Sequence, residues 1–253
     1  MKSQERINVL GTPVDALLFT ELLQRVGTVL TSGQRARIMY VNIHCMNVSW
    51  QNPEYRRILN EADVVYCDGA GVLLGARLLC KHLPARMTAA DWIDDLCELC
   101  VQKGYRLFLL GAEEGIAERA AQVLCQRFPN LQIAGTHHGF FKQDGQQDVI
   151  RTINQAEADI LLVGMGTPIQ ELWIDRHADK LNVPIVWAVG AAMDFISGKV
   201  PRAPRWMRSC GMEWFFRLII EPRRMWRRYV VGNVVFMLRI VSRRLRGAES
   251  GVT

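Results

Sequence analysis

Short aliphatic runs alternate with helical patterns through the first 190 residues, and this alternation constrains the fold more than any other feature. Ile160-Leu161-Leu162-Val163 offers no polar residue to either side, as a strand covered on both faces requires. Strands are expected at Arg37–Asn42, Ala62–Asp68, Tyr105–Gly111, Gln132–Thr136, Asp159–Gly164 and Pro184–Gly190. Between them, Pro53–Glu61, Ala89–Lys103, Gly115–Phe128, Gln146–Ala156 and Pro168–Leu181 carry helical patterning. A βαβα order of this kind predicts an α/β fold with a doubly wound, largely parallel sheet.

After Lys199 the grammar changes. Residues 1–198 hold 18 Lys/Arg and 22 Asp/Glu, a net of −4, whereas residues 199–253 hold 13 and 3, a net of +10. The expected organisation is a core over residues 1–198, a basic helical C-terminal appendage over 199–246 and a disordered tail over 247–253. A nearly neutral body with a basic end suits a polyanionic surface, either nucleic acid or anionic lipid. The apolar run Tyr229–Leu238 is too short for a bilayer, which needs about 20 residues. It can lie in the interface as an amphipathic helix, with Trp206, Trp214, Phe215, Phe216 and Trp226 as anchors. Met1 to Val9 lacks a continuous apolar stretch, so the expected location is cytoplasmic, peripheral on the inner face of the membrane. The seven cysteines, including Cys97 and Cys100, are irregularly spaced and are expected to be ordinary thiols in a reducing compartment.

Ligands of open α/β sheets sit at the carboxyl ends of the strands, and four such ends carry candidate chemistry. Asp68 precedes Gly69 and Gly71; it can serve as a general base or cap the next helix. Gly111 opens a glycine turn into a helix, where free N–H groups suit phosphate, but Glu113 and Glu114 come next and no full dinucleotide fingerprint is present. Gly164, Gly166 and Pro168 lead to Gln170 and Glu171, which are expected to face the crevice and read sugar or ribose hydroxyls. Asp194 comes after Gly190, with capping as the alternative. His44, His82, His137, His138 and His177 lack metal-ligand spacing, and neither a D-x-D triad nor G-x-S-x-G occurs. No metal or cofactor is therefore expected, and cations for a diphosphate must come from arginine or helix N-termini.

Four ordered motifs carry a resemblance. They are Gly164-x-Gly166-x-Pro168-x-Gln170-Glu171-x-Trp173; Gly190-x-x-x-Asp194-x-x-x-Gly198; Arg202-Ala203-Pro204-x-Trp206; and Gly211-x-Glu213-Trp214-x-x-Arg217-Leu218-x-x-Glu221-Pro222-x-Arg224. From about Val9 to Arg228 the chain resembles the WecG/TagA/CpsF glycosyltransferase family. The resemblance implies a Rossmann-like core, a UDP-sugar donor and inverting transfer to an undecaprenyl-diphosphate-linked sugar. It also implies an appendage that docks at the membrane and completes the active site. By that resemblance Asp68 matches the base, Asn42 an active-site Asn, Gln170 and Glu171 donor contacts, and Arg217 and Arg224 groups that neutralise the diphosphate. Arg86, Asp91 and Arg202 join the expected substrate contacts. Where the family often has Thr-Pro-Asn this chain has Tyr40-Val41-Asn42, and Arg-x-x-Gly-x-Asp is here Arg86-Met87-Thr88-Ala89-Ala90-Asp91. The donor sugar, among N-acetylmannosamine, its uronic acid and glucose, stays open at this point, as does a homo-oligomeric state. A nucleic-acid-binding protein and an NAD-linked dehydrogenase are the rival readings; the first leaves the strand-end residues unexplained, the second lacks a complete dinucleotide fingerprint, and no nucleic-acid partner is expected.

Overall fold

The aliphatic runs become strands because each is sandwiched between helices. The computed structural model describes residues 5–249. A hairpin of β1 (Arg6–Val9) and β2 (Thr12–Asp15) precedes α1 (Phe19–Ser32), β3 (Ala36–Val41), α2 (Ile43–Gln51), α3 (Pro53–Glu61) and β4 (Val64–Cys67). Next come α4 (Ala70–Leu78), α5 (Ala89–Lys103), β5 (Arg106–Gly111), α6 (Ile116–Arg127), β6 (Gln132–His137) and α7 (Gln146–Gln155). The core ends with β7 (Ile160–Gly164), α8 (Ile169–His177), β8 (Ile185–Ala188) and α9 (Ala192–Ile196). The C-terminal segment forms α10 (Arg205–Ser209), α11 (Glu213–Ile220), α12 (Pro222–Trp226), a π-helical turn at Arg227–Val231 and α13 (Gly232–Glu249).

Six strands pair in the order β4-β3-β8-β7-β5-β6, and every pairing is parallel. The doubly wound α/β expectation therefore holds, and all six carboxyl ends open on one side. The edge strand β4 is covered by the hairpin. Asp15 accepts the Val65 N–H at 2.6 Å and pairs with Arg6 at 3.1 Å, which occupies an edge that would otherwise invite foreign strands. The hairpin, α1, α2 and α4 add to the expected elements. Ala70–Leu78 reads in sequence as an apolar run broken by Gly71 and Gly75, because its glycines serve contacts with distant residues that periodicity does not register.

The C-terminal segment is joined to the core by apolar contact. Phe236 and Ile240 of α13 are fully buried and belong to the main core cluster. Burial of a side chain such as Phe236 contributes about 1.5–3 kcal/mol. Its ring lies over Gly75 of α4, where a Cβ would come within 2.7 Å of Phe236 Cζ. Asn47 of α2 adds polar ties, donating to the Gly232 carbonyl at 2.8 Å and accepting from Arg239 at 2.7 Å. The first three residues of the tail expected to be disordered, 247–249, continue α13, and residues 250–253 lie outside the described residues.

Phe236→Ala is expected to destabilise the protein by about 3–5 kcal/mol, and Gly75→Ala by about 1–3 kcal/mol through overpacking. Chemical denaturation monitored by circular dichroism checks both, and an unchanged midpoint in either would contradict the docking of α13.

Candidate active site

β3 and β4 are neighbours, and their ends bring Asn42 and Asp68 together: the Asp68 N–H donates to the Val41 carbonyl at 2.8 Å. Asn42 caps α2, its side-chain oxygen accepting the Cys45 N–H at 3.2 Å. Gly69 and Gly71 allow this approach. A Cβ at Gly69 would stand 3.3 Å from Asn42 Cβ, and one at Gly71 would overlap the Ile43 side chain. Asp68 is half-buried, and its Oδ1 is enclosed without a hydrogen-bond partner. Burial pushes its carboxyl up to about 7, with Glu213 adding to the rise. The Thr88 hydroxyl and the Arg228 and Arg86 guanidinium groups act the other way. A carboxyl poised near neutrality, with a free oxygen, is suited to accepting a proton.

Arg228 lies in the π-helical turn, half-buried and near enough to this carboxylate to favour its charged form. Burial opposes its charge, but Tyr229, Tyr40, Cys45 and Asp68 more than offset that, and its pKa lies above the ordinary arginine value. Its Nε has no hydrogen-bond partner. The same cation, after burial, helps drive His44 down to about 4, so that imidazole is neutral at physiological pH. A π turn inserts an extra residue and rotates the rest of the helix relative to the turn before it. That rotation is invisible in a row of arginines, so sequence alone does not single out Arg228.

The other sequence candidates occupy different places. Arg217 and Arg224 share Glu221, at 3.5 and 2.8 Å. Arg217 is buried with its guanidinium 5.1 Å from the centre of the Phe195 ring, while Arg224 is exposed. Arg86, Asp91 and Arg202 meet one another where the core joins the C-terminal segment. Gln170 and Glu171, expected to face the crevice, are fully buried, whereas Ile169 beside them points outward. Pro168 occupies the cap position of α8 rather than its first turn, and the Thr167–Pro168 peptide is cis.

Gln170 and Glu171 brace the strand ends from beneath. The Gln170 side-chain oxygen accepts the N–H of Gly166 at 3.3 Å and of Gly190 at 3.1 Å. Glu171 Oε1 receives Gln170 Nε2 at 2.8 Å and Thr167 Oγ1 at 2.9 Å. The Thr167 hydroxyl in turn meets Tyr40 at 3.4 Å. Burial raises the Glu171 pKa against the effect of these bonds, and burial likewise pushes the Cys45 thiol up to about 11. Tyr40 fits because position 190 is glycine: a Cβ there would lie 2.5 Å from the Tyr40 hydroxyl.

Beyond the brace, the ends of β5, β7 and β8 form a floor with no room for side chains. A Cβ at Gly111 would overlap the Gly164 carbonyl, and one at Gly164 would lie 2.6 Å from the Gly190 carbonyl. Gly111 also adopts φ +150°, which favours glycine. Lys199 stands between Glu113 at 2.7 Å and Asp194 at 3.6 Å beside this floor. The carboxyl end of the sheet thus has a half of closely packed glycine backbone with polar side chains beside it, and a half holding Asp68, Asn42 and Arg228. Among the described residues no group of three or more His, Cys, Asp or Glu is arranged to hold a metal ion.

Comparison with known proteins places the chain among related sequences. The model of the glycosyl transferase WecG/TagA/CpsF family matches residues 7–250. Proteins of Staphylococcus aureus strains NCTC 8325 / PS 47, COL and MW2 are 25% identical over 246 residues, covering 96% of this chain and 96% of each relative. Each of those relatives is named N-acetylglucosaminyldiphosphoundecaprenol N-acetyl-beta-D-mannosaminyltransferase.

The electrostatics predict that Asp68 titrates near pH 7, read as an infrared carboxylate band that Asp68→Asn removes. Arg228→Gln should move the midpoint up, since a cation favouring the charged form is lost, and Glu213→Gln should move it down. A midpoint in the ordinary carboxylate range, unmoved by either change, would contradict the assigned environment.

Proposed function

Because the chain belongs to the WecG/TagA/CpsF glycosyltransferase family, we propose that it transfers a sugar from a UDP-sugar to an undecaprenyl-diphosphate-linked saccharide with inversion at the anomeric carbon. The observation that carries the mechanism is the enclosed, unpartnered Oδ1 of Asp68 beside Arg228. In a single displacement, an acceptor hydroxyl oxygen bonds to the donor's anomeric carbon as the bond from that carbon to the diphosphate oxygen breaks. The hydroxyl proton passes to Asp68, and the bonding electrons leave with UDP. Arg228 neutralises the charge growing on the diphosphate, a task for which fixed cations in a partly dry site are effective. Asn42 orients the acceptor side. Gly111, Gly164 and Gly166 give the nucleotide a floor free of side chains, and Asp194 serves its ribose hydroxyls.

The relatives' name supports GlcNAc-diphosphoundecaprenol as acceptor and N-acetylmannosamine as the sugar to test first, with its uronic acid and glucose next. Peripheral membrane contact rests on the surface of the C-terminal segment. Trp206, Ile219 and Trp226 are exposed there, as are Val231, Val234, Leu238, Val241 and Leu245 at alternating spacings of three and four. Nearby arginines add attraction to anionic headgroups, about 1 kcal/mol each. No helix among the described residues is long and apolar enough to cross a membrane.

UDP release from a panel of UDP-sugars, with and without a GlcNAc-diphosphate-lipid analogue, tests the reading. One donor should give acceptor-dependent release, and release that ignores the acceptor would contradict it. Asp68→Asn should lower kcat by roughly 10²–10⁴-fold and Arg228→Gln by roughly 10²–10³-fold. In the wild type, kcat/KM should rise with pH through about 7 and level off above, because the base works only when deprotonated. A profile flat across that range would remove Asp68 from the role.

A further inference from the structure

Resting on the reading of Asp68 as base, we propose that Asp91 is a positioning residue that clamps the C-terminal segment onto the catalytic end of the sheet. Asp91 stands in the first turn of α5. Its Oδ1 receives Arg202 at 2.7 Å and Arg208 at 3.3 Å, both from the C-terminal segment. Each of those arginines has a second anchor. Arg202 also donates to the Ala90 carbonyl at 2.8 Å and reaches Glu213, at the start of α11, at 3.5 Å. The Arg208 carbonyl receives Arg86 at 3.0 Å, and Arg86 lies 3.9 Å from Asp91 Oδ2.

An isolated ion pair this exposed would carry little. Here three arginines and two carboxylates form one network, held at both backbone and side chain, which is the arrangement that does carry weight. Both terminal nitrogens of Arg202 are engaged within the protein, so the group is built to join two parts of the chain rather than to present an open fork to a ligand.

The clamp connects with the chemistry on each side. On the core side, the Asp91 N–H donates to the Thr88 carbonyl at 2.7 Å, and the Thr88 hydroxyl acts on Asp68. On the other side, Glu213 opens α11 and acts directly on the Asp68 carboxylate, and α11 is followed by α12 and the π turn that holds Arg228. Asp91 therefore fixes Arg228 relative to Asp68 without touching either.

Full-length Asp91→Asn and Arg202→Lys, with wild type as reference, test this by hydrogen exchange of residues 205–231 and by steady-state kinetics. Exchange there should quicken by about tenfold as local opening becomes easier. The kcat should fall by about tenfold with donor KM within about twofold, and the double variant should be no worse than the poorer single, as for one shared network. Arg202→Lys keeps the charge and loses the fork, so it serves if Asp91→Asn does not fold. A raised donor KM with kcat and exchange unchanged would overturn the proposal and make Asp91 a substrate contact. Exchange needs no substrate, so unaltered exchange fails the clamp alone, whereas retained turnover in Asp68→Asn fails the reading of the reaction.

Discussion

A carboxylate at the end of β4, partly removed from water and left with one oxygen unpaired, sets the terms for everything around it. Asp68 is held up near neutrality by burial and by Glu213, and held down by Thr88, Arg86 and Arg228. Thr88 and Arg86 come from the core, just before α5, whereas Glu213 and Arg228 belong to the C-terminal segment. The Asp68 carboxylate is thus tuned by two parts of the chain far apart in sequence, and the docking of α13 through Phe236 and Ile240 helps to keep them together.

The C-terminal segment accordingly has two faces with different physics. Inward, it offers Phe236, Ile240, Arg217 and Arg228 to the core and the crevice. Outward, it leaves a stripe of aliphatic side chains in water, flanked by arginines. Only an apolar or amphiphilic partner relieves that exposure, and the acceptor proposed for the reaction is itself an amphiphile. The proposed catalytic cation and the proposed attachment surface therefore lie on one helical segment.

Much of this is legible in sequence, and the exceptions have physical reasons. The strands follow from aliphatic continuity and Asp68 from a carboxylate placed where a parallel strand ends, whereas Asn42 comes from the resemblance alone. The hairpin escapes notice because β1 and β2 are four residues each and their partner is an edge strand contacted through Asp15. Gln170 and Glu171 read as crevice-facing because sequence gives a helix's first turn but not its rotation; Ile169 points out and the two polar residues point in. Arg217 and Arg224 are singled out by the resemblance, and the position of Arg228 is hidden by local helix geometry. The π turn at Arg227–Val231 shifts the register of the helix, and regular helical spacing cannot anticipate it. Arg86, Asp91 and Arg202 read as substrate contacts through the resemblance, and sequence does not show that they meet one another where the core joins the C-terminal segment.

In the proposed mechanism the C-terminal segment delivers Arg228 to the site of Asp68, so that base and leaving-group cation face each other across the donor. A crystal structure of the full-length protein with UDP bound tests this most directly. The predicted result is a diphosphate within hydrogen-bond distance of the Arg228 guanidinium, the nucleotide over the Gly111–Gly164 floor, and Asp68 facing the anomeric position. A diphosphate held by other residues, with Arg228 turned away and Asp68 outside the crevice, would contradict it.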